Sequence, residues 1–263
     1  MSVFRPDVLA GKVAFVTGGG SGICRGIAQK LAAHGASVTI VSRNGERLQA
    51  AANEMEQATG QPFHAVAADV RDPDAVVTAV RSAVDRFGRL DIVVNGAAGN
   101  FLSPAASLSP KGFRTVIEID ALGTWHVCRA AFDAYLGQHG GQILNISATL
   151  HYGGTPFQLH ASAAKAAVDA LTRNLAVEWG SLGIRVNAIA PGPIGDTEGM
   201  ARLAPGDMAE KMAARIPLGR FGQVDEVADL ALFLCTDAAS YIHGEIVVID
   251  GGQWIASSMI DLA

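Results

Sequence analysis

Thr17-Gly18-Gly19-Gly20-Ser21-Gly22-Ile23-Cys24 limits what this chain can become more than any other stretch. A short apolar run, Val13 to Val16, leads into it, and a helical stripe of Ile23, Ile27 and Leu31 follows. Strand, glycine-rich turn and helix in that order form the context of a phosphate-binding turn. The glycines admit a pyrophosphate close to the backbone, and the N–H groups of a helix start point at its charge. Thr17, Gly18, Gly20, Ser21, Gly22 and Ile23 are therefore candidate cofactor contacts.

The same unit then recurs along the chain. Ser37 to Val41 reads as a second strand ending in Ser42-Arg43-Asn44. The end of the second strand is where such folds meet the adenosine ribose, and an acidic residue there would favour NAD. Ser42 and Arg43 offer a hydroxyl and a guanidinium instead, which suit the 2′-phosphate of NADP. Asn44 reads as the N-cap of a helix over Arg47 to Thr59, and Asp72-Pro73 opens another that ends at Phe87. Phe63 to Ala67 and Asp91 to Val94 are the third and fourth strands. Small residues from Asn95 to Gly99 follow the fourth, leaving room for a nucleotide to lie flat. One long helix is predicted from Pro110 to Gln138, with Asp120 in its middle. Gln142 to Ile146, Ile184 to Ile189 and Glu245 to Ile249 complete seven strands, with further helices ending at Trp179 and spanning Gln223 to Leu234.

Regular alternation of strand and helix predicts an α/β fold: a doubly wound, seven-stranded parallel sheet with helices on both faces. No linker or solenoid repeat interrupts it, so residues 1–263 read as one domain. Residues 195–220 are polar, rich in Met and weakly helical, and are the expected substrate lid.

Composition removes several alternatives. Hydrophobic residues make up 49% and charged residues 17%, which favours a sizeable core over disorder. A net charge of −5 offers no basic field for nucleic acid or an anionic membrane. No stretch approaches a transmembrane span. Cys24, Cys128 and Cys235 are too scattered for a metal cluster or a disulfide framework, so no metal is expected. A reducing, cytoplasmic setting is the simplest, since there is no apolar leader and the last residues are not a peroxisomal Ser-Lys-Leu address.

His160 to Asp169 decides the chemistry. Locally it is an alanine-rich helix with an apolar stripe of Ala161, Ala164, Val168, Leu171 and Leu175. Lys165 stands beside that stripe, where a lysine is ordinarily solvated. In a dinucleotide-binding fold it belongs instead to the active site, and Ala161, four residues earlier, brings no chemistry to it.

Taken together, Thr17 to Gly22, Asp69, Asn95 to Gly99, Asn145-Ile146-Ser147, Lys165, Arg185-Val186-Asn187 and Pro191-Gly192 resemble the classical short-chain dehydrogenase/reductase family over nearly the whole chain. The resemblance implies a Rossmann fold, a nicotinamide cofactor, and a homodimer or homotetramer. It adds Asp69, Val70, Asn95, Ala97, Ala98, Lys165, Pro191, Gly192 and Ile194 to the cofactor contacts. It also implies a catalytic Asn, Ser, Tyr and Lys. Here the lysine is Lys165, but the tyrosine falls on Ala161, the serine on Ala148 and the asparagine on Asp120. Cys24 replaces the third glycine of the turn, which touches the approach of helix to strand. The acid that protonates a carbonyl oxygen near neutral pH is therefore missing.

The departures themselves resemble the 2,4-dienoyl-CoA reductases, most closely the peroxisomal type. Asn95 to Leu102, Ile119-Asp120, Ala148 to Leu150, His160 to Ala170 and Ala190 to Gly199 carry that resemblance. It implies hydride delivery from NADPH to the δ-carbon of a dienoyl thioester, giving a trans-3-enoyl-CoA in the oxidation of unsaturated fatty acids. It assigns catalysis to Asp120 and Lys165, with water as proton carrier. The mitochondrial type's upstream tyrosine falls on Leu150. Asn100, Phe101 and Thr149 are candidate contacts for the thioester and acyl chain, and Arg202, Lys211, Arg215 and Arg220 for the CoA phosphates. Two other readings stand beside this one. The chain would be a short-chain reductase of another enoyl or carbonyl substrate, with Tyr152 or a substrate-borne group as the acid, or it would bind NADP without catalysis.

Overall fold

The computed structural model describes residues 3–197, 199–200 and 208–256. All seven expected strands form: β1 Val13–Thr17, β2 Ser37–Ser42, β3 Phe63–Ala67, β4 Ile92–Asn95, β5 Gly141–Ile146, β6 Ile184–Pro191 and β7 Ile246–Ile249. They pair in parallel in the order β3-β2-β1-β4-β5-β6-β7. A sheet buried on both faces needs near-continuous apolar strands, and Val13 to Val16 and Ile92 to Val94 are each at most 3% exposed. Each valine, isoleucine or phenylalanine among them contributes about 1.5–3 kcal/mol by leaving water.

Helices cover both faces. On one, α1 (Gly22–Ala33) and α2 (Gly45–Thr59) share a core with a later helix, through Ile27, Leu31, Leu48, Val227 and Leu232. On the other, α3 (Pro73–Phe87) contributes Val80 to a core that also holds Val127, Cys128 and Trp179 from helices further along the chain. The expected caps are in place. Asn44 accepts the Arg47 N–H at 3.0 Å, and Asp72 accepts those of Asp74 and Ala75 at 3.0 and 3.2 Å. Strand order reverses between β1 and β4, and the crevice at the carboxyl ends of the strands opens there.

The long helix predicted from Pro110 to Gln138 is not uniform. It runs as α4 (Pro110–Ile117), a π turn over Glu118–Leu122, α5 (Gly123–Ala131), a second π turn over Phe132–Leu136 and α6 (Gly137–His139). The first π turn holds Asp120, and the Thr124 hydroxyl donates to the Asp120 carbonyl at 2.7 Å. A side chain on Gly123 would come within 2.6 Å of Val70, so the widened turn is pressed against the turn that follows β3. Such a turn re-aims a side chain without ending the helix, and it is common at functional sites.

α7 (Leu150–Gly153) follows β5, and α8 (Leu159–Trp179) carries Lys165. Beyond β6 the chain enters the expected lid. Its described part includes α9 (Met208–Ala213), and it is tied off where Gly195 and Gly222 donate to Gly222 and Pro193 carbonyls at 2.9 and 3.0 Å. Arg202 lies outside the described residues. α10 (Val224–Leu234) and α11 (Gln253–Ala256) complete the chain. None of the described helices is long and apolar enough to cross a membrane.

Candidate active site

The glycine turn leaves β1 with Gly18 at φ +71°, where a side chain would meet the Gly96 carbonyl at 2.9 Å. Only glycine fits such a crossing. α1 then starts at Ser21 with no side-chain cap and no acidic residue in its first turn. Its orphan N–H groups and the positive end of its dipole suit a bound phosphate. Thr17 fixes the neighbouring loop: its hydroxyl accepts the Gly96 and Ala97 N–H groups at 3.0 and 3.2 Å. Ser42 ends β2 beside Gly20, and Arg43 is exposed next to it. These groups fit a nicotinamide dinucleotide.

Other expected cofactor residues are engaged with the protein itself. Asp69 is gripped by Arg71, whose Nη2 donates at 2.6 Å and whose Nε and backbone N–H each donate at 3.0 Å. That hydrogen bonding, with lesser help from Arg43, holds the carboxyl below its ordinary range. Val70 is buried, and its carbonyl pairs with the ring of His126 at 2.8 Å. Asn95 donates to Asn145 Oδ1 at 2.9 Å and to Cys128 Sγ at 3.2 Å, and Asn145 donates in turn to Thr172 at 2.9 Å. This polar row locks β4, β5 and α8 beneath the crevice.

Asp120 and Lys165 meet as a buried pair. Lys165 Nζ lies 3.1 Å from Asp120 Oδ2, and the residues are 8% and 1% exposed. Each has one further partner. Lys165 donates to the Ile146 carbonyl at 2.9 Å, and Asp120 Oδ1 accepts the Gly99 N–H at 2.7 Å. Charges this deep persist only when paired and hydrogen-bonded. The π turn, the end of β5, the loop after β4 and α8 thus converge on two side chains.

Asn100, next in the chain to the Gly99 that donates to Asp120, lines a cavity of about 580 Å³. Ile23 lines its cofactor end; Asn100, Ala148 and Leu150 line one wall, and Met208 and Met212 of α9 another. Thr149 also borders it, as do Pro191, Gly192 and Ile194, which the family resemblance assigned to the cofactor. Phe101 does not. Its ring packs edge-on against His160 at a centroid distance of 4.3 Å, and Leu102 lines the cavity instead. Phe157 borders the opening with φ +64°, a strained conformation for a bulky residue. Asn100 donates to Gln158 at 2.5 Å while its Oδ1 is buried without a partner.

A family model described as enoyl-(acyl carrier protein) reductase matches residues 18–253. The peroxisomal 2,4-dienoyl-CoA reductase of Danio rerio is 49% identical, over 97% of this chain and 86% of that protein. Its Arabidopsis thaliana counterpart is 46% identical, over 97% and 88%. A citronellol catabolism dehydrogenase of Pseudomonas aeruginosa superposes with a TM-score of 0.85 at 39% identity, over 96% of this chain and 99% of that one. The chain belongs to the short-chain dehydrogenase/reductase family.

In this short-chain reductase the departures from the family pattern are accommodated by packing. Ala161 is 2% exposed in a small cluster with Val116, Ala164 and Leu150. Ala148 faces the cavity. Cys24 fits because Gly96 has no side chain: a Cβ there would stand 2.0 Å from Cys24 Sγ. The close helix–strand approach is kept by removing atoms on the strand side rather than the helix side. Burial pushes the Cys24 thiol up to about 12, so it stays protonated and unreactive.

Tyr152 is half-buried, edge-on to His151 and Trp254 with centroids 4.7 and 5.4 Å away. Burial, then the charge of Asp169, push its hydroxyl up to about 12. Arg220 is taken up by Glu226 at 2.7 Å, whereas Lys211 and Arg215 are exposed. Sequence reasoning missed Asp169. It is 1% exposed and accepts hydrogen bonds from the Ser147 hydroxyl and, at 2.9 Å, from His151 Nε2. Its position one turn beyond Lys165 was the available signal, since a polar residue there shares the buried face.

Proposed function

We propose that this protein is an NADPH-dependent reductase that converts a 2,4-dienoyl-CoA to a trans-3-enoyl-CoA in the oxidation of unsaturated fatty acids. The observation that carries this reading is the buried Asp120–Lys165 pair, with alanine at both places where the family usually has its hydroxyls and one of them, Ala148, lining an apolar cavity. The names of the two reductases from Danio rerio and Arabidopsis thaliana support it.

When bound, the nicotinamide supplies a hydride. Reduction at the δ-carbon moves an electron pair through the diene onto the thioester oxygen, giving a dienolate. No alkoxide forms at the carbon that accepts hydride, so no tyrosine is needed beside it. What the site must supply is stabilisation of a remote oxyanion and a proton for the α-carbon. Lys165 holds the nicotinamide ribose and raises the local positive potential. Asp120, fixed between Lys165 and the Gly99 N–H, orients a water that carries the proton. Asn100 Nδ2 or the Thr149 hydroxyl holds the thioester oxygen.

The turn over Thr17 to Ile23 cradles the pyrophosphate, and Ser42 and Arg43 take the 2′-phosphate. Asp69, Val70, Asn95, Ala97, Ala98, Pro191, Gly192 and Ile194 shape the rest of the cofactor cleft. The chain is one domain whose 195–220 segment closes over an acyl-CoA. It works as a homodimer or homotetramer in the reducing cytoplasm, where its three buried, free cysteines remain thiols.

Purified protein with NADPH and 2,4-hexadienoyl-CoA is expected to lose NADPH absorbance and to yield the 3-enoyl product. Absence of that turnover, together with efficient reduction of a simple ketone, would overturn the proposal. A Tyr152→Phe variant is expected to keep its activity. A large loss would favour the reading in which Tyr152 is the acid.

A further inference from the structure

Ala148, Thr149 and Leu150 form one wall of the cavity, and the residues at both ends of that wall reach the same carboxylate. Ser147, just before it, donates its hydroxyl to Asp169 Oδ1, and His151, just after it, meets Asp169 Oδ2 at 2.9 Å. Asp169 is 1% exposed and lies one helical turn beyond Lys165 on α8. Lys165 donates to the Ile146 carbonyl, so α8 grips consecutive residues of the chain from the end of β5 into the wall. The connectivity excludes a hydrolytic triad. There the serine donates to the histidine, whereas here both donate to the carboxylate and the serine oxygen is not activated.

We propose that Asp169 and His151 are positioning residues that clamp the Ala148–Leu150 wall to the helix of Lys165 and so set the fit of the acyl thioester. This rests on the proposed reductase function. Ser147 alone would tether only the start of the wall. The wall's far end has two anchors in short turns, where Tyr152 N–H donates to the Thr149 carbonyl at 3.2 Å and the Thr155 hydroxyl to the Leu150 carbonyl at 3.0 Å, and one neutral bond to α8, where the Ser162 hydroxyl donates to the Leu150 carbonyl at 3.3 Å. His151 supplies a charge-assisted bond at that end, with the Tyr152 hydroxyl as a lesser partner of the same carboxylate, and such bonds are about twice as strong as neutral ones. Its side chain is 19% exposed, so the clamp stands at the edge of the core and can be cut without opening it.

The test compares His151→Ala and His151→Gln in the full chain. Losing a hydrogen bond to a charged group corresponds to about tenfold in an equilibrium. His151→Ala is expected to raise KM for 2,4-hexadienoyl-CoA by about that factor, with kcat within about threefold and NADPH affinity unchanged. His151→Gln keeps a donor at similar reach and is expected to recover most of the KM. Amide hydrogen exchange over residues 148–153, without substrate, is expected to quicken in His151→Ala and to return in His151→Gln. Unchanged KM and exchange in His151→Ala, or equal losses in both variants, would overturn the clamp. If His151→Ala does not fold, His151→Asn, too short to reach the carboxylate, takes its place against His151→Gln. If the parent protein reduces no dienoyl-CoA, the reductase proposal fails and the exchange measurement alone decides the clamp.

Discussion

The cofactor cleft and the acyl cavity share an edge but are built differently. The cleft is made of strand ends and backbone. Gly18 crosses Gly96, the uncapped start of α1 faces it, and the Asn95–Asn145–Thr172 row braces it from below. Its shape follows from sheet register, which a seven-stranded core holds rigidly. The acyl cavity is made of side chains on irregular segments: the 148–158 stretch, the turn at Pro191 to Ile194, and α9. Its wall is held by a few hydrogen bonds to one helix. A scaffold of this kind keeps the cofactor fixed while loops vary the substrate.

Substitutions can break or sharpen that contrast. The largest effect is expected at the junction of the two regions. Lys165→Met leaves Asp120 as an unpaired buried carboxylate, which costs about 3–5 kcal/mol of stability. A fall in denaturation midpoint and a loss of kcat/KM beyond about a hundredfold would register it. Stability unchanged from the parent would show that Asp120 finds another partner and that the regions are not joined there.

On the cofactor side, Arg43→Ala removes a charge-assisted contact and is expected to weaken NADPH by roughly tenfold to a hundredfold while leaving NADH within about twofold. Equal losses for both cofactors would place the 2′-phosphate elsewhere. Gly96→Ala tests the rigidity of the same cleft. The added methyl would collide with Cys24 Sγ, and overpacking of this kind costs about 1–3 kcal/mol. The double variant Gly96→Ala/Cys24→Gly is expected to recover most of that loss in a denaturation cycle. No recovery would mean that the sulfur is not what the methyl meets.

The smallest effect belongs to the region leading out of the lid. Glu226 is held at about 2, below its ordinary value of 4.5, first by Arg220 and then by the Gln223 N–H. A depressed carboxyl pKa contributes stability above the unfolded value and loses it as pH falls toward the folded one. Because the pair is solvent-exposed, screening leaves little of it. Glu226→Gln is expected to lower the melting temperature only slightly near neutral pH, with the difference closing between about pH 4.5 and 2. A difference that persists in acid would assign the effect to helix capping rather than charge.

The seven strands, the helix caps at Asn44 and Asp72 and the parallel sheet were legible in the sequence because each depends on residues a few positions apart. Apolar runs and periodicity are local signals, and a buried parallel sheet leaves them strong. The single helix expected over 110–138 missed its two π turns. At the first, Val70 presses on Gly123 and a threonine takes up a carbonyl, and neither leaves a mark on periodicity. Phe101 was assigned to the acyl site by its place after β4, and only packing against His160 turns its ring away.

By itself the sequence determined the Rossmann architecture, the family and the absence of the usual hydroxyls at 148 and 161, since identity and local pattern suffice for these. The tertiary structure decided which charges meet. Asp120 pairs with Lys165, Asp169 joins Ser147 to His151, and Gly96 makes room for Cys24 because the sheet brings together residues from distant parts of the chain. In a buried site, energy depends on distances of a few ångströms between such groups, and one-dimensional spacing carries no record of them.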